Sequence, residues 1–93
     1  NEINFVTFSV KNYEGKIFEL SKREIALLKL LTDRKDSVVS RNQILQYVWG
    51  YDVYPSTRTI DNFILAFRKY FEKDVRDPQH FHSIRGVGYK FTA

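Results

Sequence analysis

Hydrophobic and polar residues alternate over the N-terminal part of the chain. The alternation covers residues 3–10 and resumes at 16–20, and the polar, glycine-containing segment 12–15 separates the two runs. Successive side chains of a strand point to opposite faces, so period two is typical of a half-buried strand. The pattern predicts a short antiparallel sheet at the N-terminus.

Two segments with helical spacing follow, and each opens with the same capping signature. Ser21 is followed three residues later by Glu24, and Ser40 is followed three residues later by Gln43. In a capping box the hydroxyl accepts a hydrogen bond from the first turn, and the longer side chain bonds back to the cap. Helices are therefore predicted to begin at these two serines, and the second is expected to stop near Gly50.

The third helical segment, 57–73, is the longest and the most periodic. Its apolar residues recur at i, i+4, i+7 and i+11, which places them on one face of a helix. These residues are Ile60, Ile64, Phe67 and Phe71. We expect this face to lie on the core, and we expect Leu65 to be packed against a neighbouring element.

The chain ends in a second period-two pattern, 81–92, which is interrupted by Gly86-Val87-Gly88. Glycine takes the positive φ that a tight turn needs, so this segment predicts a β-hairpin. Arg85 lies at its tip and Lys90 on its flank. A cationic hairpin that follows a helical region has the properties of a wing, a β element that lies along a nucleic-acid groove.

The predicted order is an N-terminal antiparallel sheet, two helices, a loop, a long helix and a C-terminal hairpin, with a short strand at Val38 and Val39. This is an α+β arrangement in a single domain over residues 1–93. In a helix-turn-helix the second of two successive helices enters the major groove. The order therefore favours a winged helix-turn-helix in which helix 57–73 contacts duplex DNA.

Composition excludes several other classes. Hydrophobic residues make up 43% and aromatic residues 16% of the chain, which is enough apolar surface for a dense core. Cysteine is absent, so neither a disulfide nor a zinc–thiolate site stabilises the fold, as suits a reducing cytoplasm. No apolar run approaches the roughly 20 residues of a membrane-spanning helix. We expect no cofactor and no membrane partner, and the absence of Met indicates a fragment of a longer protein.

The positive charge is concentrated in the C-terminal part. The net charge is +4, and residues 1–55 contain eight Lys or Arg against seven Asp or Glu, whereas 56–93 contain seven against four. A basic region favours phosphate-rich partners through counterion release. The bias supports a nucleic-acid partner without establishing one, because many other domains are equally basic.

The long helix carries the candidate base and phosphate contacts. Asn62 is suited to bond a base edge, and Phe63 and Ala66, on the same side of the helix, are suited to contact a thymine methyl group. Four flanking residues are expected to contact phosphates: Arg58, Thr59, Arg68 and Lys69. Asp61 is expected to form an ion pair with the first of these. The same charges also fit an ordinary solvated helix face.

A series of short motifs runs through the chain in a fixed order. They are Leu20-Ser21-Lys22-Arg23-Glu24, Val38-Val39-Ser40-Arg41, Val48-Trp49-Gly50, Arg58-Thr59-Ile60-Asp61, Arg68-Lys69 and Ile84-Arg85-Gly86-Val87-Gly88-Tyr89-Lys90-Phe91. Together they resemble the C-terminal effector domain of OmpR/PhoB-type response regulators. The resemblance implies DNA binding in the transcription control of a two-component system, with the receiver domain of the phosphorelay outside this chain. It also implies head-to-tail homodimers on direct-repeat sites.

Site residues are implied by the same resemblance. It places Arg58, Thr59 and Arg68 on phosphates and Arg85 in the minor groove, where an arginine responds to groove width. Other positions that match contacts to the DNA backbone are Trp49, Ser83 and Tyr89. The loop 50–56 matches a segment that contacts RNA polymerase. Its candidate residues are Tyr51, Asp52, Val53 and Tyr54.

Two parts of the long helix depart from the family pattern. Phe63 stands where relatives often carry His, and Leu65 and Ala66 stand where they often carry a cation. We therefore expect base recognition through Asn62, through apolar contacts to thymine methyl groups and through groove shape.

Two alternatives come from other classes of protein. Asp77, His80 and His82 have the chemistry of metal ligands, but no second cluster of acids or histidines completes a site, so an enzyme is not expected. A winged helix that contacts only other proteins, without specific DNA binding, remains an alternative because fold does not determine function.

Overall fold

The structure, a computed structural model, describes residues 2–50 and 57–93. Within these ranges the chain forms three helices and two antiparallel sheets of three strands each. The elements follow one another in the predicted order.

The N-terminal sheet contains β1 Glu2–Asn4, β2 Ser9–Lys11 and β3 Ile17–Glu19, in that order. The antiparallel pairing predicted from the alternation is confirmed. The alternating run 3–10 forms two strands rather than one, because Asn4 Oδ1 accepts hydrogen bonds from the backbone N–H groups of Val6 and Thr7 at 2.9 and 3.0 Å. A short polar side chain that bonds to the backbone in this way closes a local turn.

Both predicted capping boxes are confirmed, and they begin α1 Lys22–Asp33 and α2 Arg41–Ile44. In the second box Gln43 N donates to Ser40 Oγ at 3.2 Å, and Ser40 N donates to Gln43 Oε1 at 2.9 Å. A single π-helical turn, Leu45–Trp49, continues α2 and is followed by Gly50, where φ is +81°. The second helical region therefore stops where the glycine predicts.

The long helix, α3 Thr57–Phe71, ends two residues before its predicted boundary. Directly after it, the buried carboxylate of Glu72 accepts three backbone N–H groups. The donors are Gln79, His80 and Phe81, at 3.0, 3.0 and 3.1 Å. Charge-assisted bonds of this kind are among the stronger hydrogen bonds in proteins. Glu72 thus ties the end of α3 to the start of the C-terminal hairpin.

The C-terminal sheet consists of β4 Val38–Ser40, β5 Phe81–Ile84 and β6 Gly88–Phe91, with β6 in the middle. The predicted hairpin and the predicted short strand before α2 are therefore parts of one sheet. Gly86 takes the positive φ of the hairpin turn, at +76°. Gly88 has a different role, because a Cβ atom there would overlap the backbone carbonyl oxygen of Val39 in the neighbouring strand.

The core lies between α1, α3 and the C-terminal sheet. The stripe predicted on α3 is confirmed, since its four apolar residues are between 0% and 4% exposed. Phe81 packs against three of the other rings, with centroid distances of 5.5 Å to Phe67, 5.7 Å to Phe71 and 5.3 Å to Phe91. The hairpin is therefore held to α3 through the core as well as through Glu72. None of the helices in the two described ranges is long and apolar enough to cross a membrane.

Candidate nucleic-acid interface

The face of α3 opposite the core carries most of the predicted contact residues. Arg58, Asn62 and Lys69 are exposed, whereas Thr59 and Ala66 are half-buried. All five lie away from the apolar stripe, as predicted. The long helix therefore presents two cations, an amide and small side chains on one accessible surface.

Leu65 lies on the same accessible surface, and the prediction that it is packed is wrong. Its side chain is 54% exposed. Leu65 follows the buried Ile64 by one residue, which rotates it about 100° away from the core stripe. Neither the N-terminal sheet nor the hairpin covers it there.

Arg68 connects α3 to the hairpin. Its Nε donates to the backbone carbonyl of Phe81 at 3.1 Å, and its Nη2 donates to Ser83 Oγ at 3.0 Å. Two of the five N–H groups of the guanidinium are used in these bonds. The residue that the sequence places on a phosphate therefore has a structural role in the domain, and its partner Ser83 is another predicted DNA contact.

A second arginine, for which the sequence predicts no contact, joins α2 to the same region. Arg41 Nη2 lies 3.8 Å from Asp61 Oδ1 on α3, and the guanidinium lies 5.7 Å from the centre of the Tyr89 ring. The prediction that Asp61 pairs with Arg58 is wrong, because its partner is on another helix. Such a contact between distant positions has no periodic signal in the sequence.

Tyr89 is placed in the core rather than on the DNA-facing surface. It is only 3% exposed, and its hydroxyl is buried without a hydrogen-bond partner among the described residues. The reason is that Tyr89 lies opposite the fully buried Val39, on the face of the sheet that packs against the core. The placement corrects the sequence prediction of a surface contact to the DNA backbone for this residue.

Trp49 and Phe63 form a stacked pair at the junction of the π-helical turn and α3. Their ring centroids are 5.4 Å apart and the rings are inclined by 25°. The guanidinium of Arg23 lies 5.7 Å from the tryptophan ring, a distance at which a cation is attracted to an aromatic face. Phe63 is thus used in packing, which accounts for an apolar residue beside the core stripe. Arg23 adds a cation next to the position predicted to approach a phosphate.

The tip of the hairpin faces the exposed surface of α3 across an open depression. Its volume is about 360 Å³, and its walls include Arg41, Arg68 and Arg85 together with Asp61. Arg85 itself is exposed at the turn. Three arginines and one aspartate give this depression an excess of positive charge. It joins α2, α3 and the wing in one continuous cationic surface.

The histidines considered as metal ligands belong to the base of the hairpin, away from its tip. His80 Nδ1 lies 3.1 Å from the backbone oxygen of Thr92, and His82 Nε2 lies 2.9 Å from the Thr92 hydroxyl. That hydroxyl donates to the backbone oxygen of Gln79 at 2.7 Å. Over residues 2–50 and 57–93, no group of three or more His, Cys, Asp or Glu side chains has an arrangement that would hold a metal ion.

The candidate polymerase-contact residues lie outside the described residues. They are Tyr51, Asp52, Val53 and Tyr54.

The domain has a long helix with an exposed cationic face beside a basic hairpin. Two shorter helical segments and an N-terminal sheet precede this helix. This arrangement defines a winged helix-turn-helix domain. The chain matches the family described as "Transcriptional regulatory protein, C terminal" over residues 15–91. It belongs to this family and is an OmpR/PhoB-type effector domain, which is a DNA-binding transcription-regulator class and not an enzyme class. The resemblance and the fold class predicted from the sequence are confirmed.

Individual relatives agree with this assignment. The transcriptional regulatory protein PrrA of Mycobacterium tuberculosis is 42% identical over 75 residues, which are 81% of this chain and 32% of PrrA. The response regulator DrrB of Thermotoga maritima, described as an OmpR/PhoB homolog, is 35% identical with a TM-score of 0.74, and the match covers 86% of this chain and 36% of DrrB. The DNA-binding domain of CpxR from E. coli is 28% identical with a TM-score of 0.75, over 98% of this chain and 88% of that structure. The chain spans about a third of the length of PrrA.

Proposed function

We propose that this domain binds duplex DNA sequence-specifically, with α3 in the major groove and the hairpin 81–92 in the minor groove. The observation that carries the proposal is the continuous cationic surface between α3 and the wing, in which three arginines face one aspartate. An α-helix fits the major groove, and an exposed arginine at a wing tip fits the narrower minor groove. Membership of a family of DNA-binding effector domains supports the same geometry.

The proposed roles follow the placement of each side chain. Arg58 and Thr59 at the start of α3 and Lys69 near its end contact phosphates on the two sides of the major groove, and Arg85 enters the minor groove. Asn62 bonds a base edge, because an amide matches the acceptor and donor pattern of adenine. Trp49 approaches a phosphate together with the neighbouring Arg23.

Arg68 and Ser83 are assigned a double role. Their mutual hydrogen bond orients β5 against α3, and the remaining donors of the guanidinium are directed to the DNA backbone. Tyr89 is assigned to positioning, because its buried ring supports the Arg41 guanidinium. Tyr89 therefore acts on DNA through the shape of the wing.

The partners of the whole protein are also proposed. We infer that this chain is the output domain of a cytoplasmic two-component response regulator. Two copies bind direct-repeat sites as a head-to-tail homodimer, and the loop 50–56 contacts RNA polymerase. The support for these roles is the family to which the chain belongs.

A salt titration tests the proposal. The affinity for a duplex should fall linearly in a log–log plot against salt, with a slope of about −0.9 for each phosphate that is neutralised. Arg58→Ala should weaken binding and make the slope shallower by about one unit. Arg85→Ala should weaken binding most strongly on sites with an A·T-rich, narrow minor groove.

Arg34→Ala is the matched control, because it removes an exposed arginine directly after α1. Arg34 lies near the end of the C-terminal sheet opposite the wing tip. Asp36, two residues after it, donates its backbone N–H to the carbonyl of Phe91, the last residue of β6. Arg34→Ala should change affinity little. A flat salt response of the native domain would favour the alternative, a winged helix that contacts only proteins. Loss of folding in Arg58→Ala or Arg85→Ala would show that the residue is structural.

A further inference from the structure

Leu65 is the position at which α3 leaves a large apolar side chain in solvent. It is 54% exposed, whereas Phe63 and Tyr70, the other large apolar residues of α3 outside the core stripe, are half-buried. A single exposed leucine is common in proteins and needs no explanation by itself. The location of Leu65 on the proposed DNA-binding surface is what gives its exposure meaning.

Leu65 forms a ridge between two depressions. On one side is the cationic depression that contains Arg41 and Arg85. On the other side is a mostly apolar surface that Leu65 forms with Ala66 and Val75, bordered by Asn62 and Lys69. A side chain that borders both depressions projects from the middle of the accessible face of α3. In the proposed complex this ridge is the part of α3 that lies deepest in the major groove.

The charges around the ridge identify duplex DNA as the occupant. Arg58 and Lys69 are exposed on α3 at either end of the ridge, and Arg85 is exposed on the wing. They surround the apolar ridge at the edges where the phosphates of a duplex would lie. A protein partner would match the apolar ridge equally well, but it would not require a cationic rim on several sides.

The major groove offers one apolar group to such a side chain. Among the four bases only thymine carries a C5-methyl group there, and the other exposed groups are hydrogen-bond donors and acceptors. Ala66 is half-buried and short, and Phe63 is stacked on Trp49, so Leu65 reaches further into the groove than either. Asn62, three residues earlier on the same face, is placed to bond an adjacent adenine.

We propose that Leu65 is a specificity-determining residue that contacts the C5-methyl group of one thymine in each binding site. This inference rests on the proposed DNA-binding function and adds to it the identity of a base and of the group that is recognised. It assigns thymine recognition to Leu65, whereas the sequence predicts this contact for Phe63 and Ala66.

Replacement of single methyl groups tests the inference. A site is first selected from a random duplex pool with the native domain, and each thymine in it is then replaced in turn by deoxyuridine, which lacks only the C5-methyl group. The transfer of one buried methyl group out of water corresponds to about a fourfold change in affinity. We expect one replacement in each site to weaken the native domain by about fourfold.

Two variants of Leu65 test whether this residue contacts that methyl group. Leu65→Ala should bind the thymine and deoxyuridine sites equally, and Leu65→Met should keep the discrimination because it keeps the apolar reach. Ile17→Ala is the matched control, since Ile17 is an exposed apolar residue, 69% accessible, on the N-terminal sheet. It should retain the native response. Both positions are exposed, and thermal unfolding verifies that each of the three variants is folded.

Three outcomes would overturn the inference, and they differ from one another. If no deoxyuridine replacement weakens the native domain, no methyl group is recognised. If Leu65→Ala keeps the fourfold response, another residue recognises the methyl group. If the pool yields no enriched sequence and duplex binding has no salt dependence, the proposed DNA-binding function fails together with this inference.

Discussion

Replacement of Glu72 by glutamine tests how the hairpin is held to α3. The two oxygens of the carboxylate share three backbone donors: Oε1 accepts from Gln79 N, and Oε2 accepts from His80 N and Phe81 N. Gln has one acceptor oxygen, so in either orientation of its amide at least one of these N–H groups faces an NH₂ group. The substitution keeps the size of the side chain and changes only its hydrogen-bonding chemistry.

The loss of stability depends on how deeply the Glu72 side chain is buried. The Glu72 side chain is about 1% exposed, so water does not replace the lost acceptor. One buried and unsatisfied N–H group costs about 1–3 kcal/mol, and the remaining bonds become weaker because the acceptor is no longer charged. We expect Glu72→Gln to lower the free energy of unfolding by about 3 kcal/mol. That is a large part of the about 5–15 kcal/mol that is typical of a domain.

Urea unfolding followed by tryptophan fluorescence measures this loss. With an m-value of about 1–1.5 kcal/mol per M for a domain of this size, the midpoint should fall by about 2 M. Glu19→Gln is the control, because this exposed residue of β3 makes the same chemical change at the surface and should alter stability by at most about 0.5 kcal/mol. Equal midpoints for the two variants would refute the anchoring role of Glu72.

Three further substitutions test the wing. Gly88→Ala should lower the free energy of unfolding by about 2 kcal/mol or more, because the added Cβ meets the backbone of Val39 and Ser40 rather than a movable side chain. Gly86→Asn is the control, because Asn tolerates a positive φ and a Cβ at this position has open space around it. It should lower the free energy of unfolding less in the same urea experiment. Arg68→Ala should weaken DNA binding without loss of folding. An unchanged slope of the salt titration would indicate that Arg68 acts mainly by orienting the wing. A slope shallower by about one unit would indicate that a phosphate contact has been lost.

The elements that the sequence predicts well are those with local signals. The capping boxes at Ser21 and Ser40 depend on residues three positions apart, and the core stripe of α3 depends on a regular period, so both are present in the printed sequence itself. The hairpin turn is marked by Gly86, which adopts the positive φ that it was expected to supply. For the same reason the α+β class and the order of elements could be predicted.

The parts that could not be predicted depend on contacts between distant positions. The pairing of Arg41 with Asp61 joins residues twenty positions apart, and Glu72 finds its donors only when the chain after α3 folds back. Tyr89 is buried because it lies opposite Val39 of β4 on the face of the sheet that packs against the core. The surface contact predicted for this tyrosine is implied by the family resemblance and not by a local signal in the sequence.

The distribution of charge on α3 separates affinity from specificity in the proposed complex. The exposed cations, Arg58 and Lys69 on the helix and Arg85 on the wing, lie around the accessible face, while its centre holds Leu65 and Asn62. Salt screens the interaction of the cations with phosphates, but it has little effect on an apolar contact to a methyl group. Overall affinity should therefore fall steeply as salt rises, whereas the ratio between thymine and deoxyuridine sites should stay nearly constant. A base preference that rests on the proposed Leu65 contact would therefore not depend on ionic strength, and a ratio that falls as salt rises would contradict it.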